Sequence, residues 1–86
     1  MWIRSETNKL YNLTHAHTVK IEKREDGFVV AAHFSTPNDQ EQVGELTKVK
    51  PTEVEPMAII RRIENSLADN DRVLDLMRSA AQAGHF

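Results

Sequence analysis

Residues 20–34 constrain this chain most, because they read as two strands closed on a tight turn. Asp26-Gly27 supplies the pair that a two-residue primed turn needs, since glycine reaches positive φ without a Cβ penalty. Before the turn, Val19, Ile21 and Lys23 alternate with Lys20, Glu22 and Arg24. After it, Phe28, Val30, Ala32 and Phe34 fall on one side and Val29, Ala31 and His33 on the other. A strand apolar on both sides belongs inside a sheet, so the second arm is expected at a central position.

The flanking segments extend this sheet. Trp2-Ile3 and Leu10-Tyr11, separated by the polar Ser5-Glu6-Thr7-Asn8 break, read as a first hairpin, and residues 14–17 as a bend or bulge leading into the second. Pro37-Asn38-Asp39 ends the central strand near Phe34. Residues 42–48 give a further strand at an edge, with Gly44 marking a bulge or a close approach. Thr52 and Glu55 stand at capping-box spacing, with Pro56 in the first turn. Ile59, Ile60, Ile63 and Leu67 then recur at helical spacing, opposite Arg61, Arg62, Glu64 and Asn65. After the Asp69-Asn70-Asp71 break, Val73, Leu74, Met77, Ala80 and Ala81 predict a second helix ending at Gly84. The expectation is an α+β fold: an antiparallel four- to five-stranded meander sheet followed by two C-terminal helices. It forms a single domain over residues 1–86, with the sheet in 1–50 and helices in 52–68 and 70–83.

Composition narrows the function classes. Eighty-six residues, 40% of them hydrophobic and 28% charged, suit one globular domain with little room for a deep catalytic cleft beside its core. A net charge of -2 gives no global attraction for nucleic acid or anionic lipid. The lack of cysteine excludes disulfides, thiolate zinc sites and cysteine nucleophiles, and fits a reducing compartment. The longest apolar run, residues 28–32, is too short to span a bilayer, and the N-terminus has no signal-peptide pattern. A cytoplasmic protein is expected.

Met1-Trp2-Ile3-Arg4, Lys9-Leu10-Tyr11-Asn12-Leu13, Asp26-Gly27, Val43-Gly44-Glu45 and Thr52-Glu53-Val54-Glu55 together carry a resemblance. The chain resembles a group of short uncharacterised bacterial and phage proteins that open with Met-Trp-(Ile/Val)-Arg and pair a small antiparallel sheet with a C-terminal helix. The resemblance covers residues 1–68, with Pro56, the loop 35–41 and the second helix departing from the pattern. It implies a fold and a bacterial or phage source, and it implies no activity.

Three constellations carry candidate chemistry. His15 and His17 share a side if their segment is extended, and His33 lies on a neighbouring strand, so a three-histidine metal site is conceivable. Neither a carboxylate nor a cysteine completes that set at a specific spacing, and the expectation is solvated histidines with no metal or cofactor. Glu22, Glu25 and Asp26 sit at a hairpin tip, where water leaves carboxyls near their reference pKa, and no serine or threonine stands at a nucleophile elbow. Enzymatic activity is not expected. Lys20, Arg24, Lys48, Lys50, Arg61 and Arg62 could form a basic strip for nucleic acid, although Glu22, Glu25, Glu45 and Glu64 interleave and cancel much of its field.

Trp2, Tyr11, Phe28, Phe34 and Phe86 are expected mostly in the core. Two helices over one small sheet leave a surplus apolar stripe, Val73, Leu74, Met77 and Ala81, for a partner. The function expected is therefore a non-catalytic protein-interaction module, homodimeric through either an edge strand or the second helix, and with a further protein partner. The alternatives are a small regulatory nucleic-acid-binding protein and a histidine-metal enzyme.

Overall fold

A computed structural model describes residues 1–38 and 40–78. The hairpin of the central segment is formed by β3 (Ala16–Arg24) and β4 (Gly27–Ser35), and β5 (Glu41–Glu45) pairs with the far side of β4. β4 is thus the central strand of an antiparallel sheet ordered β3-β4-β5, and its Val29, Val30, Ala31, Ala32 and His33 are all buried. The turn differs from a primed Asp26-Gly27 pair. Arg24 pairs with Gly27, so Glu25-Asp26 is the loop, and the positive φ, +152°, belongs to Gly27 at the start of β4. Glycine is required there twice over, because a Cβ would also lie 2.0 Å from the Lys50 carbonyl oxygen. Lys50 comes that close by pairing with Phe28, whose amide and carbonyl both bond it at 2.8 Å.

The first hairpin also forms, but it joins a different sheet. β1 (Trp2–Arg4) and β2 (Leu10–Asn12) pair across a turn in which Asn8 takes the left-handed conformation, φ 64°, and buried Ser5 accepts the amides of Thr7 and Lys9. On its other side β1 pairs in parallel with β6 (Val73–Asp75), giving a second sheet ordered β2-β1-β6. Two three-stranded sheets, one antiparallel and one mixed, therefore replace the meander of four to five strands. Residues 13–15 form a 3-10 turn between the sheets, and β3 begins with a register shift between Ala16 and Thr18, the bulge anticipated at this rim.

Among the described residues one helix, α1 (Val54–Ala68), follows β5 and packs on β3 and β4. Its buried face is Pro56, Ile59, Ile63 and Ser66, while Leu67, expected inward, is exposed. The capping box is not made. Glu53 is the N-cap without a side-chain bond, and Glu55 turns instead to Lys50, 3.2 Å away. Lys50 also meets Glu6 at 2.9 Å; burial lowers its pKa, but the hydrogen bonds with Glu6 and Glu55 outweigh that, so the net shift is upward. This cluster fastens the entry to α1 onto the β1–β2 turn.

The second helix over 70–83 is the principal correction, with residues 79–83 outside the described residues. Asn70, φ 56°, closes α1: its own amide bonds Leu67 O, and the Asp71 amide reaches back to Ser66 O at 2.9 Å, the reverse turn that stops a helix. The chain then runs straight alongside β1, with Trp2 donating to Arg72 O and Leu76 donating to Arg4 O at the two ends of the ladder. A strand order needing α1 before β6 also means that the helix is not segregated behind all the strands. The core lies between the sheets and α1: Ile3, Leu13, Val30, Ala32, Leu46, Ile59, Ile63 and Leu76. The large aromatics stay at its margin. Trp2 is 48% exposed, and Tyr11, Phe28 and Phe34 are only half-buried; Phe86 is outside the described residues.

Candidate functional site

Three surfaces carry the residues singled out by sequence. The first is the outer face of the antiparallel sheet, where the register Thr18↔His33 and Glu22↔Val29 brings Glu22 and His33 together across β3 and β4, and β5 adds Glu41. His33 Nε2 meets Glu22 Oε2, and Nδ1 meets Glu41 Oε1 at 2.6 Å. Both ring nitrogens donate when both carboxylates are ionised, which takes the imidazolium form. Glu22 also accepts from Arg24 at 3.0 Å, and Glu41 lies 3.5 Å from His17 Nε2. The hydrogen bond with His33 holds the Glu22 carboxyl below its ordinary 4.5; burial opposes that shift, and Arg24 reinforces it. Glu22 is therefore not a freely solvated hairpin-tip carboxylate.

This arrangement keeps His17 and His33 together, ring centroids 6.2 Å apart and both beside Glu41, but uses their nitrogens for other bonds and leaves His15 out of the set. His33 has both nitrogens occupied by carboxylates, His17 Nδ1 bonds Thr18 Oγ1 at 2.9 Å, and His15 belongs to the 3-10 turn. Among the described residues no group of three or more His, Asp or Glu side chains is placed to hold a metal ion. The network was missed in the sequence because its members are unremarkable until the register is known. The alternation Lys20, Glu22, Arg24 opposite His33 was the available signal.

The basic strip is divided among elements. Arg24 lies 3.0 Å from Glu22 and 3.9 Å from Glu45, Lys50 is held by Glu6 and Glu55, and Arg62 donates to the Asp75 carbonyl at 3.3 Å. Lys20, Lys48 and Arg61 remain exposed, on β3, on the chain after β5 and on α1.

The second surface is the outer face of the mixed sheet. The registers Trp2↔Val73, Arg4↔Asp75, Trp2↔Asn12 and Arg4↔Leu10 place these six side chains on one side, with Ile3, Tyr11 and Leu74 on the other, toward the core. Trp2, Leu10 and Val73 are 48%, 56% and 57% exposed. The stripe read as one helical face is thereby split. Val73 and Met77 are exposed, Leu74 packs against the core, and Ala81 lies outside the described residues.

The third is an open groove of about 480 Å³ between β2 and β5. Its floor is the Tyr11–Phe34 pair, with ring centroids 6.0 Å apart and planes 19° from parallel. Gly44 makes that floor, because a Cβ there would come 2.5 Å from Tyr11 Cε1. The close approach expected at Gly44 is thus an approach of an aromatic ring.

Comparison with protein-family models finds no match, and none is found among curated proteins or solved structures. Nothing in those comparisons bears on the resemblance carried by Met1-Trp2-Ile3-Arg4. Among the described residues no helix is long and apolar enough to cross a membrane.

Proposed function

We propose that this chain is a non-catalytic, cytoplasmic interaction module that pairs with a second copy of itself through the outer face of the mixed sheet. The observation that carries the reading is the adjacent pair Trp2 and Val73, each about half exposed on a sheet face whose other side is core. An indole and a β-branched side chain side by side supply the apolar centre that interfaces need. The same face is self-complementary in charge, because Arg4 and Asp75 sit opposite each other in the ladder. A two-fold axis through the face sets Arg4 of one copy beside Asp75 of the second copy, as an isologous contact requires. The lack of cysteine fits the reducing cytoplasm.

Trp2 is the single tryptophan, so its fluorescence reads the contact directly. Emission should move to shorter wavelength as protein concentration rises, and Val73→Lys should hold it at the long-wavelength position with circular dichroism unchanged. Emission independent of concentration in the unsubstituted chain would remove this face from the interface.

A further inference from the structure

We propose that the groove between β2 and β5 is a binding site for a small, neutral, planar heteroaromatic ring such as a free nucleobase. The Tyr11 and Phe34 rings stack on each other, centroids 6.0 Å apart and planes 19° from parallel, and both line its base. Exposed Leu10 and Val43 form apolar walls, one from each sheet. Such a floor and walls favour a flat apolar body, since aromatic rings gain from stacking beyond the area they bury.

The rim adds hydrogen-bonding groups with unused capacity. Asn12 accepts the Thr14 amide through Oδ1 at 3.1 Å, which leaves its amide nitrogen unbonded among the described residues. Gln42 and His15 line the same groove and make no side-chain hydrogen bond among those residues. An amide offering donor and acceptor together matches the edge of a nitrogen heterocycle, as side chains do when they read an unstacked base. Among the described residues no lysine, arginine, aspartate or glutamate lines the groove. A charged ligand would therefore lose hydration there without gaining a counter-ion, and this selects a neutral ring. The site uses neither Trp2 nor Val73, although it borders the self-association surface at Leu10 and Asn12.

The test is a titration of the full chain with adenine, followed by amide and aromatic NMR shifts. Saturable shifts at Tyr11, Phe34, Gln42 and Val43 are expected, and Gln42→Ala, an exposed substitution, should weaken binding about three- to tenfold with the rest of the spectrum unchanged. Gly44→Ala should abolish it by displacing the Tyr11 ring. Adenosine monophosphate should bind no more tightly than adenine. No saturable shift, shifts centred away from the groove, an unaffected Gln42→Ala variant, or much tighter and salt-sensitive binding of the monophosphate would each overturn the proposal.

Discussion

Gly27 combines two demands that no other residue type meets. Its φ of +152° disfavours any side chain, and the Lys50 carbonyl occupies the position of a Cβ. Gly27→Val should lower stability by about 3 kcal/mol or more, the sum of backbone strain and a forced parting of Phe28 from Lys50. Equal urea midpoints would refute this account of the turn. Glu22 makes a pH-dependent contribution of definite sign. Its folded pKa lies below the ordinary 4.5, so the stabilisation is complete above the unfolded value and is lost as pH falls through the folded one. His33→Leu removes the largest cause of that shift while burial remains. The Glu22 carboxyl, followed by carbon NMR, should then titrate at higher pH than in the unsubstituted chain, and an unchanged midpoint would show that His33 does not hold it.

At the level of elements, what was legible in the sequence is what local pattern decides. The two-sided apolar run fixes β4 as a central strand, the polar Ser5-Glu6-Thr7-Asn8 break closes β1–β2, and the isoleucine spacing gives α1. β6 was not legible. Val73-Leu74-Asp75 is too short to display an alternation, Met77 and the following alanines complete a helical spacing, and the strand's partner, β1, lies at the other end of the chain. The same reason hid the Glu22–His33–Glu41 network and the Tyr11–Phe34 floor, since both depend on which strands face each other. Two substitutions separate strand from helix here. Val73→Lys should leave the fold intact because the side chain points outward, whereas Leu74→Asp should unfold it by placing a carboxylate against Ile3 and the core. Equal effects of the two would contradict β6. The helix stop is open to a similar check. Asn70→Gly should keep or slightly raise the unfolding free energy and Asn70→Val should lower it by about 1–2 kcal/mol, because only the first relieves a left-handed residue.

For the whole molecule, the division into two small sheets explains why a chain of 86 residues has surface left to offer. The antiparallel sheet is covered by α1 on one face and on the other by a satisfied polar network, which gives a partner little apolar area to bury. The mixed sheet keeps Trp2, Leu10 and Val73 exposed on its outer side, and self-association through that side is the central claim. Sedimentation equilibrium over a wide range of concentration tests it most directly. The unsubstituted chain should approach twice 9.8 kDa as concentration rises while Val73→Lys stays at 9.8 kDa, and an unsubstituted chain that remains at 9.8 kDa throughout would contradict it.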